Sequence, residues 1–173
     1  MTWDKYFLDV CNTISINSKC LSRKVGAVIV RDKSIISTGY NGPPAGVRPC
    51  NDRYYIDEKL KEETLKKFGL HTKYDQNTCP RQILGFKSGE GLEWCIAGHA
   101  ERNSIVNAAK NGVCVKDCIM YMNCPVSCTP CLIEIINAGI KEIVVTNLTY
   151  YDIMGEYLVR ESGLNIRINT CQP

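Results

Sequence analysis

Two short segments constrain this chain more than any other feature: Gly98-His99-Ala100-Glu101 and Cys128-Thr129-Pro130-Cys131. Each opens a helical run, and a short apolar stretch, Ile119 to Met122, stands between the two helices. A fold that uses both segments must bring the starts of these helices together. A Cys-x-x-Cys at a helix start lets two thiolates face one point, where the helix dipole favours negative charge. His99 adds a third ligand from the neighbouring helix, giving a His/Cys/Cys set with one tetrahedral position left for water. A closed structural zinc site takes four protein ligands, whereas three plus water is the catalytic arrangement.

Alone, either segment is weak, because a histidine at a helix start is more often a cap or a core residue. The chain has only two histidines, however, and His99 stands at the required place relative to Glu101, Cys128 and Cys131. Glu101 lies two residues beyond the histidine, where its carboxylate can sit beside the water rather than on the metal and act as a proton carrier. His-x-Glu followed by Pro-Cys-x-x-Cys is the signature of the zinc deaminases, and the chain resembles it with one departure. The residue before Cys128 is Ser127, while proline stands earlier, at Pro125. The loop entering that helix is expected to bend differently, and Cys124 is then the weaker competitor for the metal.

Eleven cysteines in 173 residues need an account. An odd count without an evident secretory leader reads as a reducing, cytoplasmic setting in which thiols bind metal or pack as small apolar groups. Cys11, Cys114, Cys118 and Cys171 are assigned to packing. Lysine plus arginine number 21 against 18 acidic residues, a net charge of +3. Such a mild excess, with no aromatic-basic strip, argues against a dedicated nucleic-acid partner. No apolar stretch approaches the roughly 18 residues that a membrane span needs.

Periodicity places a first helix around Trp3 to Ile14 with Thr2 as its cap, then a hairpin of Gly26–Arg31 and Ile35–Tyr40 around Asp32-Lys33-Ser34. From about 51 to 93 the composition turns polar, with one short exposed helix at Lys59–Phe68. Helices at His99–Asn111, Cys128–Ala138 and Tyr151–Ser162 then alternate with strands at Ile119–Met122, Glu142–Thr146 and Leu164–Ile168. The expectation is one α/β domain over residues 1–173 with an insertion at about 51–93. Its architecture is a three-layer α-β-α sandwich around a mixed five-stranded sheet.

Ser22-Arg23-Lys24-Val25-Gly26-Ala27-Val28-Ile29-Val30 and Ile36-Ser37-Thr38-Gly39-Tyr40-Asn41-Gly42-Pro43-Pro44-Ala45-Gly46 resemble the N-terminal signature of deoxycytidylate (dCMP) deaminases. His99-Ala100-Glu101-Arg102-Asn103 and the stretch Cys128 to Lys141 are similar to the zinc half of the same family, and the long insertion after Cys50 resembles its phage-type members. The likeness spans nearly the whole chain except about residues 53 to 90. Cytidine, guanine and tRNA deaminases share the zinc motif but lack the Gly-Tyr-Asn-Gly loop. The resemblance implies the cytidine deaminase fold and hydrolysis of dCMP to dUMP and ammonia, supplying thymidylate synthesis, with Glu101 shuttling protons. It also implies that Asn41 holds the deoxyribose hydroxyl and that a backbone carbonyl or the amide of Ala100 reads the pyrimidine edge. Ser22, Arg23 and Lys24 meet the phosphate, although Arg23 and Lys24 equally suit a solvated pair before a strand. Tyr150 or Tyr151 covers the base or packs in the core.

Larger relatives stabilise such an insertion with a second, structural zinc. Here Cys20, Cys50, Cys79 and Cys95 form the expected ligand set, with His71 as a replacement ligand and four unconnected thiols as the alternative. The resemblance further implies a homohexamer activated by dCTP and inhibited by dTTP. Three other functions stay open at this point: a deaminase of dCTP, modified dCMP or guanine; a deaminase acting on RNA or DNA; and a non-catalytic zinc-stabilised interaction module.

Overall fold

The computed structural model describes residues 1–69 and 75–169. By contacts the chain divides into two units: residues 1–18, 25–41 and 99–173 form the first, and residues 19–24 and 42–98 the second. His71 and Cys171 lie outside the described residues.

The first unit is built on a five-stranded sheet in the order β2-β1-β3-β4-β5. Strands β1 (Gly26–Arg31) and β2 (Ser34–Tyr40) form an antiparallel hairpin, and β1 pairs antiparallel with β3 (Ile119–Met122). Strands β4 (Glu142–Val145) and β5 (Asn165–Ile168) extend the sheet in parallel. Asp32 and Lys33 at the hairpin tip both have positive φ, the two-residue geometry whose twist matches that of its strands.

Side chains alternate across the strands and define two apolar layers. Val28, Val30, Tyr121 and Val144 point to one face, where Phe7 and Cys11 of α1 (Trp3–Ser15) cover them. Ala27, Ile29, Met120, Met122, Ile143 and Val145 point to the other. There they meet Ala100 and Ala108 of α5 (Ala100–Lys110) and Leu132 and Ile135 of α6 (Thr129–Asn137). Leu158 and Val159 of α7 (Ile153–Ser162) complete that layer. The expected three-layer α/β architecture is therefore present, with one helix on one face and three on the other. Cys11 and Cys118 are buried as expected, but Cys114 is exposed and does not pack.

Two glycines allow helices to approach the sheet this closely. A Cβ on Gly26 would stand 2.1 Å from the carbonyl oxygen of Cys11, and one on Gly39 would stand 2.4 Å from both the Ala100 carbonyl oxygen and the Ser104 amide. Gly39 thus brings the first turn of α5 against β2. Polar bonds then strap the helix to this edge strand: Asn103 Nδ2 donates to the Tyr40 carbonyl and Asn107 Nδ2 to the Thr38 carbonyl, each at 2.8 Å. Ser37 Oγ donates to the Ser104 carbonyl at 2.7 Å. These bonds occupy an edge that would otherwise be open to pairing.

A charged network ties α1 to the far edge of the sheet. Asp4 Oδ1 accepts from the Tyr121 hydroxyl at 2.9 Å and from Arg167 Nη2 at 3.1 Å, while Arg167 Nη1 bonds Asp4 Oδ2. Arg167 Nε reaches Glu142 at 3.0 Å. The Arg167 hydrogen bond holds the Asp4 carboxyl below the usual carboxylate range, against the opposing effect of burial.

The second unit has structure of its own. Helices α2 (Cys50–Ile56) and α3 (Glu58–Phe68), the short α4 (Pro80–Ile83) and a 3-10 turn at Leu92–Trp94 fill the segment where the sequence shows only one exposed helix. Helix α3 is amphipathic rather than wholly exposed, because Leu60 and Thr64 are buried. The segment begins and ends on one antiparallel bridge, with Gly42 N donating to Gly98 O at 3.1 Å and Gly98 N to Gly42 O at 2.8 Å.

Two outcomes are expected. Gly39→Ala destabilises the protein by about 1–3 kcal/mol or more in denaturant titration, because backbone rather than a flexible side chain must move. Asp4 is lowered in the folded state, so its stabilisation is present above the unfolded carboxyl value near 4 and is lost as pH falls through the folded value. Thermal melts from pH 6 to pH 2 should show Asp4→Asn less stable than the parent at pH 6, the gap closing in acid.

Candidate active site

His99 and Cys128 occupy equivalent positions, each the N-cap of its helix with extended backbone (φ −77°, ψ 154° and φ −66°, ψ 159°). Neither side chain makes a capping hydrogen bond. A histidine serving merely as a cap would turn back onto its own helix, whereas His99 turns toward the thiols. Nδ1 lies 3.5 Å from Cys128 Sγ and 3.3 Å from Cys131 Sγ. Among the described residues, His99, Cys128 and Cys131 are the one group whose donor atoms all lie within 4.8 Å of one another in a metal-holding arrangement.

This donor set fits zinc. Bond lengths of about 2.3 Å to sulfur and about 2.05 Å to nitrogen at a tetrahedral angle require sulfur and nitrogen roughly 3.5 Å apart, which matches the separations here. The two thiols also differ. A hydrogen bond with Cys131 holds Cys128 down to about 4, and His99 acts in the same direction against burial. Cys131 is pushed up by the same hydrogen bond, by burial and by the charge of Glu101. Both thiols must be deprotonated to hold a cation, so metal binding here releases protons.

Glu101, the second residue of α5, is buried at 5% exposure. Its Oε1 accepts a 2.6 Å hydrogen bond from Ser127 Oγ, which is itself buried. Pro130, in the first turn of α6, suits a position whose amide has no partner within the helix. Asp152, the N-cap of α7, also braces the start of α6. Its carboxylate accepts from Thr129 N at 3.0 Å, from Gly155 N at 2.9 Å and from the Thr129 hydroxyl. Burial opposes ionisation of Asp152, but these bonds hold it below the usual carboxylate range. Arg102 of α5 grips Glu134 of α6 through two contacts at 2.9 and 2.8 Å. The helices that supply the ligands are thus joined at their starts and along their exposed sides.

The remaining sequence candidates divide between the units. Ala100 is fully buried at the first position of α5. Asn41 is buried; its Oδ1 accepts from Val25 N at 2.7 Å and its carbonyl from Ser18 Oγ at 2.6 Å. Tyr150 packs on the larger apolar cluster, whereas Tyr151 is 41% exposed. Cys124 packs on that cluster too and stands outside the ligand group. Ser22, Arg23 and Lys24 are exposed and belong to the second unit.

Cys20, Cys50, Cys79 and Cys95 also belong to the second unit. Burial pushes the Cys50 thiol up, with the charges of Cys79 and Cys20 adding to it and Arg53 opposing. Three of the four are therefore electrostatic neighbours, but the four do not form a ligand-spaced group among the described residues. Sequence reasoning missed the roles of Ser127 and Asp152. Ser127 registered only as a missing proline, and Asp152 fell inside the expected helix Tyr151–Ser162, whereas it is the N-cap of a helix that starts at Ile153.

Residues 1–147 match the family described as the cytidine and deoxycytidylate deaminase zinc-binding region. The chain belongs to this family. It is 30% identical over 167 residues to a deoxycytidylate deaminase of Schizosaccharomyces pombe, covering 96% of this chain and 44% of that protein. A deoxycytidylate deaminase of Enterobacteria phage T2 is 35% identical over 143 residues, covering 79% of this chain and 76% of that one. Among solved structures, the dCMP deaminase of cyanophage S-TIM5 in complex with dCMP and dUMP shares the fold, with a TM-score of 0.62 at 21% identity and 95% of each chain covered. The chain spans less than half the length of the yeast relatives it matches, at 44% of each. No described helix is long and apolar enough to cross a membrane.

His99→Ala or Cys131→Ser should abolish zinc binding at this site, measured as metal per chain after dialysis. Asp152→Ala, which touches no donor atom, should weaken zinc about 10- to 100-fold in chelator competition. Asp152→Asn, which keeps an acceptor oxygen, should weaken it less.

Proposed function

We propose that this chain hydrolyses dCMP to dUMP and ammonia. The observation that carries this reading is the convergence of His99, Cys128 and Cys131 beside the buried carboxylate of Glu101. Three donors hold a metal and leave a corner for water, and the adjacent acid can move protons without joining them.

His99, Cys128 and Cys131 would hold zinc, which when bound would supply the Lewis acidity that lowers the pKa of a water. Glu101 takes a proton from the attacking water and delivers it to N3 of the pyrimidine. It then carries a second proton to the departing amine. A C4–O bond forms, the C4–N bond breaks, and the amine leaves as ammonia. The amide of Ala100, unpaired within α5 as a first-turn donor, reads the pyrimidine edge. Asn41 meets the deoxyribose hydroxyl from its place beside β1, where its Oδ1 accepts from Val25 N. Tyr151 covers the base, a role supported by its exposure where Tyr150 is engaged in packing. Ser22, Arg23 and Lys24 meet the phosphate with cationic and hydroxyl donors.

The same reading extends to a cytoplasmic homohexamer regulated by dCTP and dTTP, and to a second zinc in the insertion. The proximity of Cys20, Cys50 and Cys79 supports that second metal, with Cys95 or His71 completing the set. Metal analysis should give about two zinc ions per chain, falling to one in Cys79→Ser. One ion per chain in the parent rejects the structural site.

Ultraviolet and ammonia-release assays on dCMP, dCTP, deoxycytidine and CMP test the substrate, each with and without dCTP or dTTP as effector. Turnover should be greatest with dCMP. Glu101→Gln should lower kcat by roughly 100- to 10,000-fold while zinc content and fold persist. Undiminished turnover in that variant would overturn the mechanism.

A further inference from the structure

The residue that breaks the family pattern hydrogen-bonds the buried carboxylate of Glu101. Ser127 stands where the zinc-deaminase signature has proline, directly before the ligand Cys128, and proline has no side-chain donor. Its hydroxyl is buried at 4% exposure and lies within reach of two acceptors, Glu101 Oε1 at 2.6 Å and Met122 Sδ at 3.4 Å. A hydroxyl has one proton to give. A carboxylate oxygen at 2.6 Å is a charge-assisted acceptor, whereas a thioether sulfur is a weak one, so the proton points at Glu101.

We propose that Ser127 is a positioning residue that fixes the Glu101 carboxylate by holding Oε1, so that Oε2 is the oxygen that exchanges protons during turnover. The inference rests on the deaminase reading above and deepens it. A glutamate side chain has three rotatable bonds, and burial of its stem alone leaves the terminal carboxylate plane free to turn. Ser127 removes that freedom by holding one of the two oxygens. The bond also runs from the loop that delivers Cys128 to the helix that follows His99, so ligand and proton carrier share one reference point. Ser127 itself keeps its proton throughout and neither gains nor loses one. Among the described residues it is the side chain shown to hydrogen-bond this carboxylate.

The test uses the zinc-loaded full chain and compares Ser127→Ala, Ser127→Thr and Ser127→Pro with the parent. Ser127→Ala should lower kcat about 10- to 100-fold, with KM for dCMP within about twofold and zinc per chain unchanged. Ser127→Thr, which keeps the hydroxyl, should restore kcat to within about threefold. Ser127→Pro restores the family's residue but no donor, and should remain as slow as Ser127→Ala. A readout independent of turnover is the binding of 2-pyrimidinone deoxyribonucleoside 5′-monophosphate, whose hydrated form mimics the transition state. Its affinity should fall in step with kcat, while that of dUMP stays constant. Parent-like kcat in Ser127→Ala or in Ser127→Pro would overturn this inference alone, as would equal loss of affinity for dUMP and the analogue. A parent protein inert toward dCMP would overturn the functional reading and this inference with it.

Discussion

The site depends on what a helix start does to the residue that caps it. At an N-cap the backbone is extended while the next residue is helical, so the side chain projects over the helix end rather than along its flank. His99 and Cys128 both stand there, and both leave the capping bond unmade. Two helix ends laid side by side then aim their cap side chains at each other. Cys131, in the first turn of α6, closes the group from below. The positive end of each helix dipole favours the anionic sulfurs and the Glu101 carboxylate.

Such an arrangement works only if the two helix starts are held at one spacing. Sheet register sets it first, because α6 follows β3 and α5 lies against β2. Gly39 permits the close approach of α5, and the Asn103 and Asn107 amides fix its rotation against β2. Asp152 performs the corresponding service for α6 from the side of α7. The candidate ligands come from two helix starts, but their support is drawn from β2, β3 and α7.

That distribution explains what could be read from the chain in advance. The order of elements along the chain, the strand limits near Gly26–Arg31 and Ile119–Met122, and the grouping of His99, Cys128 and Cys131 were legible, because apolar alternation and ligand spacing are local patterns. The helical content of the insertion was under-read. Helix α2 carries Asn, Asp, Arg and two Tyr residues with only Tyr54 buried, so it lacks the periodic apolar stripe that marks a helix in sequence. The braces at Ser127 and Asp152 were illegible for another reason. Each is a single polar residue whose partner is remote along the chain, at 26 and 23 positions, and no periodicity encodes such a pairing. The four-cysteine set was proposed from family likeness, and the arrangement found joins three of its members only through their charges.

The paired hydrogen bonds between Gly42 and Gly98 carry an evolutionary consequence. A segment whose two ends meet at a single rung closes its own loop, and the cost of closure grows only slowly with the length enclosed. The chain between those glycines can therefore lengthen, shorten or be rewritten by drift without altering the span that its neighbours must bridge. Such a closure is a natural point for grafting, where new recognition surfaces can be tried between two fixed ends.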